Sequence, residues 1–175
     1  ADGACWIRQW FDGLRVAGKA MVLCWYHLHK RCRECLSMAC CGRAHREEVE
    51  REVAGLLWEG RVPEAINVLQ GRREQMKNTK ALDQLIEYLK RRLPYIPNYG
   101  ARRDAGLWIT SNRIEKFNDW AISQRCKGRG MDWTAEGAGA LAALETARRN
   151  GELNVWRQTR QLPRWDASAT PTTAA

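Results

Sequence analysis

Two acids, Asp2 and Glu115, are the residues of this chain best suited to hold a metal ion. A hard divalent cation such as Mg2+ takes one or two carboxylates and completes its shell with water and phosphate oxygens. Glu115 lies at a helix start, after Ser111-Asn112-Arg113-Ile114, and Asp2 precedes Gly3-Ala4 just before another helix. Each also has a purely structural reading. Asn112 with Glu115 three residues later fits a capping box, and Asp2 taken alone fits an N-cap. On its helix Glu115 borders the apolar arc of Ile114, Phe117, Ala121 and Ile122, a margin where a cleft-facing acid would sit. Asp119, one turn on, is the alternative carboxylate, turned further towards water.

Three other groupings could do chemistry. Cys24-Trp25-Tyr26-His27 joins an apolar run to a helix, and His27 could pack, orient a carboxylate or contact a phosphate, since imidazole both donates and accepts. Cys32-x-x-Cys35, with Cys40, Cys41, His29 and His45 nearby, raises zinc, whose structural sites take four Cys or His ligands. Against zinc, Cys32, Cys35 and Cys40 share an apolar stripe with Leu28 and Leu36, where free cysteine acts as a small hydrophobe, and a second knuckle pair is missing. Arg125, Lys127 and Arg129, spaced by Gly128 and Gly130, suit either a solvated turn or a loop touching phosphates. No Gly-Lys-Ser/Thr follows, so the loop is not a P-loop.

The elements that must position these groups read mostly as helices. Ile7, Trp10, Phe11 and Leu14 have the spacing of one helical face. Ala20-Met21-Val22-Leu23-Cys24-Trp25 is a short apolar run that predicts a strand buried on both faces, the one convincing strand in the chain. Leu28, Cys32, Cys35, Leu36, Ala39 and Cys40 then form a helical stripe ending near Gly42. Val49, Val53, Leu56 and Leu57 mark a second helix closed by Gly60, and Pro63 opens a third. Thr79 caps a fourth with Leu82, Leu85, Ile86 and Leu89, stopped by Pro94. Leu107-Trp108-Ile109-Thr110 is a short extended or packed segment. Thr134 caps a helix with Leu141 and Leu144, ended by Asn150-Gly151. The expected organisation is 1–26 with a helix and a strand, 27–93 all-helical, 94–153 with the Glu115 helix, basic loop and final helix, and 154–175 a flexible tail.

The composition, 45% hydrophobic and 28% charged, is that of a soluble globular protein, and no apolar run reaches the ~20 residues of a membrane span. The opening residues show no basic n-region or apolar h-region. A cytoplasmic, reducing setting is therefore expected, with the seven cysteines as thiols or metal ligands. The net charge of +9 favours an acidic partner such as nucleic acid, but the arginines are spread along most of the chain. Nine tryptophans are many for 175 residues, and some could stack on bases.

In order and spacing, four features resemble the C-terminal part of the catalytic domain of DDE-type bacterial insertion-sequence transposases, with their Mutator-like relatives. They are Asp2-Gly3-Ala4 before Trp6-Ile7, Cys24-x-x-His27, the long helical block, and Thr110 to Glu115 leading to Arg125-Cys126-Lys127-Gly128-Arg129-Gly130. The resemblance covers about residues 1–151. It implies a mainly α chain, the C-terminal portion of an RNase H-like α/β domain with an all-α insertion and few strands. It makes Asp2 the second and Glu115 the last catalytic acid, both ligands of Mg2+ or Mn2+, with Cys24 and His27 close by and Arg125, Lys127 and Arg129 on the DNA backbone. Two metals would activate a water or a DNA 3′-OH for attack on a phosphodiester. The family's first Asp lies on an upstream strand. The chain is therefore expected to be a downstream part, inactive alone, of a full-length parent that acts on transposon ends and target DNA, with homo-oligomers conceivable there. The alternative is a non-enzymatic basic helical module that binds nucleic acid.

Overall fold

Helical periodicity settles the architecture: every regular element among the described residues is a helix. The structure is a computed structural model that describes residues 4–128 and 131–161, apart from the side chains of Cys5 and Arg125. It divides into two units, one running essentially from Gly18–Ser111 with the first helix, the other from Asn112 onward.

The first unit begins with α1 (Cys5–Gly13). Its predicted stripe is only partly used, because Ile7, Phe11 and Leu14 are half-buried while Trp10 is exposed. After an irregular stretch come α2 (Trp25–Ala39), α3 (Arg43–Trp58), α4 (Val62–Gly71) and α5 (Thr79–Arg92). Leu28, Cys32, Cys35, Leu36 and Ala39 of α2 face Leu82, Leu85, Ile86 and Leu89 of α5, spacings that keep each set on one side of its helix. α2 also packs on α3, α3 on α4, and α4 on α5, so the four enclose one apolar core. The helix ends obey local chemistry. Asn78, not Thr79, caps α5, accepting from Ala81 N–H at 3.2 Å. Pro63 sits in the first turn of α4, where its missing N–H costs nothing. A short α6 (Tyr99–Asp104), capped by Asn98, was not signalled by periodicity because it is only six residues long.

Gly60 shows why α3 must stop. Its φ is +77°, and a Cβ there would lie 2.9 Å from Asn98 N, against backbone that cannot swing aside. Gly60→Ala is therefore expected to destabilise the first unit by about 1–3 kcal/mol, read as a lower urea midpoint. An unchanged midpoint would contradict that close approach.

The expected strand does not form. Residues 20–24 form no regular element, although Cys24 is extended, and among the described residues no strand pairs with them. Their hydrogen bonds go to irregular backbone instead: Leu23 N–H donates to Tyr95 O at 2.8 Å, and Trp25 N–H, at the start of α2, to Ile109 O at 2.9 Å. The apolar run is buried as foreseen at Leu23 and Cys24, yet its neighbours are α6 and the segment returning from it.

The second unit holds α7 (Asn112–Asn118), a π turn (Asp119–Ser123), α8 (Gln124–Cys126), α9 (Ala135–Arg149) and α10 (Glu152–Thr159). Thr134 caps α9 as expected, accepting from Gly137 N–H at 3.0 Å. α10 lies where the apolar pattern fades. α7 buries no residue of its own, so the turn that follows must hold it. There Ala121 is buried, and the Trp120 ring lies between Lys116, 4.9 Å from its centroid, and Arg149, 4.8 Å away. Arg149 is tied in turn to Glu145 at 2.6 Å, whose carboxyl Arg148 and Arg149 hold well below the usual range. Of the tail expected to be flexible, 154–175, residues 154–159 belong to α10 and those from 162 onward lie outside the described residues. No helix among those described is long and apolar enough to cross a membrane.

Candidate functional site

Cys24 occupies the N-cap position of α2, where the helix presents its positive end. The residue is almost wholly buried, and its sulfur accepts from Ser111 N–H at 3.4 Å, across 87 positions of sequence. Burial alone would push its thiol up. Hydrogen bonds from the Ser111 hydroxyl and from His27 outweigh that effect and lower the pKa to about 7. The other buried thiols behave oppositely: Cys32 is pushed up to about 12 by burial, and Cys35 and Cys40 are also raised by it. Spacing alone could not separate Cys24 from these.

An aromatic cluster fixes this corner. Trp25 meets the edge of Trp58 at 4.9 Å and Tyr99 at 5.1 Å, and Tyr99 hydroxyl donates to Leu23 O at 2.9 Å. The His27 ring stands edge-on to Tyr26 at 5.6 Å. Residues 23–27 are thus gripped on one side by α6 and on the other by the returning segment 109–111.

The sequence-derived residues fare differently. Cys24 and His27 come together as the Cys-x-x-His spacing implies, and Ser111, in sequence only one residue of a helix start, proves to be their third member. Its signal was present, since a hydroxyl residue immediately before a helix is a natural donor and acceptor. Glu115 is exposed in the first turn of α7. Because α7 starts at Asn112, Ser111 takes the cap position and Glu115 falls one residue beyond the capping-box spacing. Lys127 is exposed. Asp2 and Arg129 lie outside the described residues, and so does the side chain of Arg125. Among the described residues no three His, Cys, Asp or Glu side chains gather as a metal-binding group. Cys32, Cys35 and Cys40 line the core.

A lowered thiol pKa is a stability statement. Cys24 ionises near 9 when unfolded and near 7 when folded, so its contribution is fully present above about pH 9, shrinks as pH falls, and is gone below about 7. Wild type is expected to gain on the order of 1–2 kcal/mol over Cys24→Ala between pH 6.5 and 9, since a tenfold change in acidity is worth about 1.4 kcal/mol. Taking the difference between the two proteins removes the raised thiols common to both. A flat difference in urea midpoint would show that Ser111 and His27 do not stabilise a thiolate.

Comparison with protein-family models, with curated proteins and with solved structures found no match for this chain.

Proposed function

We propose that this chain is the C-terminal portion of a DDE-type transposase catalytic domain, acting in its full-length parent by two-metal phosphodiester chemistry. The observation that carries the reading is where the helical block leaves and rejoins the chain. Trp25 N–H bonds to Ile109 O, and Cys24 Sγ to Ser111 N–H, so a block of four packed helices departs and returns through adjacent backbone. That is the topology an inserted domain needs, and it delivers Glu115 one helical turn after the return.

In this reading Asp2 and Glu115 hold Mg2+ or Mn2+, and the first acid of the triad is supplied by the parent upstream of residue 1. The metals, when bound, polarise the scissile phosphate and activate the attacking oxygen. The chain's own residues position: His27 and Ser111 fix Cys24, and Arg125, Lys127 and Arg129 contact the DNA backbone. The test uses the full-length parent and a labelled duplex carrying its element end. Strand cleavage with Mg2+ and none with EDTA supports the reading, whereas DNA binding without metal-dependent cleavage favours the non-enzymatic module.

A further inference from the structure

The chain's positive charge, scattered in sequence, is gathered by the fold. Residues 43–75, which span α3 and α4, carry six arginines against seven glutamates. Most of those arginines sit in ion pairs, among them Arg43 with Glu47, Arg61 with Glu59, and Arg72 with Glu48 and Glu52. That side of the block is self-neutralised. Residues 18–33 and 88–103 hold four and five cations with no Asp or Glu inside either stretch; Arg31, Arg33, Lys90 and Arg103 pair with Glu34, Glu50, Glu87 and Asp104 beyond them, which leaves the two stretches in excess of positive charge. Together these nine equal the formal net charge of the whole protein.

The fold puts these two acid-free stretches side by side. Leu23 N–H bonds to Tyr95 O, Tyr99 hydroxyl to Leu23 O, and α2 packs along α5. Arg92 of α5 lies over the Tyr88 ring at 5.9 Å, and α2, which carries Arg31, packs along the same helix. The segment returning at 107–111 joins the same end of the block, where Arg102 donates to Trp108 O at 3.4 Å. Two large rings face solvent here, Tyr26 and Trp108, each 58% exposed. Exposed rings on a surface with an excess of cations are how proteins hold unpaired nucleic-acid strands: phosphates follow the cations and bases stack on the rings.

We propose that this end of the helical block is a binding surface for single-stranded nucleic acid, with Arg31, Arg91 and Arg92 on phosphates and Trp108 and Tyr26 as stacking platforms. It includes no residue of the 125–129 stretch and does not depend on the transposase reading. Single strands are favoured over duplex because a paired base offers no free face to a protruding ring.

The probe is a fluorescein-labelled dT20 oligonucleotide, titrated against the whole chain by anisotropy at several salt concentrations. Arg31→Gln/Arg91→Gln/Arg92→Gln is expected to weaken binding at least tenfold and to lower the slope of log K against log salt by about 2, at roughly 0.7 per phosphate contact. Trp108→Ala is expected to weaken dT20 at least fivefold while leaving binding of a 20-bp duplex within twofold. Arg61→Gln, which removes a cation already paired with Glu59 and Glu64, is the control and should change neither. Each variant is compared at equal folded fraction, set by its urea midpoint. The proposal is overturned if the triple variant binds dT20 like wild type, if Lys127→Gln alone removes the affinity, or if Trp108→Ala weakens duplex and single strand equally. Retention on phosphatidylserine vesicles, with no dT20 binding, would also overturn it and assign the surface to anionic lipid.

Discussion

Glu115→Gln is expected to reduce Mg2+-dependent strand cleavage by the full-length parent by at least about 100-fold, with DNA affinity changed less than about twofold. The magnitude follows from what the substitution removes. Even outer groups that only orient a metal ligand cost roughly 10–100-fold when lost, so a ligand's own charge should cost at least the upper end. A factor of 100 is about 2.7 kcal/mol of transition-state stabilisation. The amide keeps the size and leaves the start of α7 intact, since Glu115 is exposed and packs against no core. Binding rests on phosphate contacts and their counterions, which the change does not touch. Cleavage within about tenfold of wild type would remove Glu115 from the metal site, and with it the transposase assignment.

Tyr99→Ala should be the most damaging single change in the helical block, costing about 3–5 kcal/mol in urea denaturation. Tyr99 is fully buried, packs on Trp25 and Trp58, and its hydroxyl holds the Leu23 carbonyl. Deleting the ring opens a cavity and strips that carbonyl of its donor. Tyr99→Phe separates the two effects. It keeps the packing and is expected to cost only about 1–3 kcal/mol, the penalty of a buried acceptor left unpaired. Equal losses for the two variants would mean that the ring contributes nothing through packing, contrary to its burial.

How much of this was legible beforehand depended on the range of the interaction involved. The stripes of α2 and α5 could be read because Leu28, Cys32 and Leu36, or Leu82, Leu85 and Leu89, repeat within a few residues and face one core. Thr134 could be read for the same reason, its bond reaching only to Gly137. The run Ala20–Trp25 misled because apolar content reports burial, whereas a strand also needs an extended partner at hydrogen-bonding distance. Tyr95 and Ile109 supply only isolated bonds from turn-rich backbone. Among the site residues, Cys24 and His27 are neighbours on one helix start and were found together. Ser111, 87 positions away from Cys24, could be joined to them only by the fold. The charge followed the same logic. A count gave its size, and only the alignment of 18–33 with 88–103 gave it a location.

The bond from Trp25 N–H to Ile109 O, 2.9 Å long, has a further consequence. It closes a loop of 85 residues, 25 to 109 inclusive, whose ends are as near as two neighbours in a turn. Such a block is a cassette. Because its core is filled from within by its own helices, a short turn could replace it without stretching the flanking chain, and the block could be carried into another host loop with its two ends joined at the same spacing. Lineages could therefore gain, lose or exchange it as a single piece.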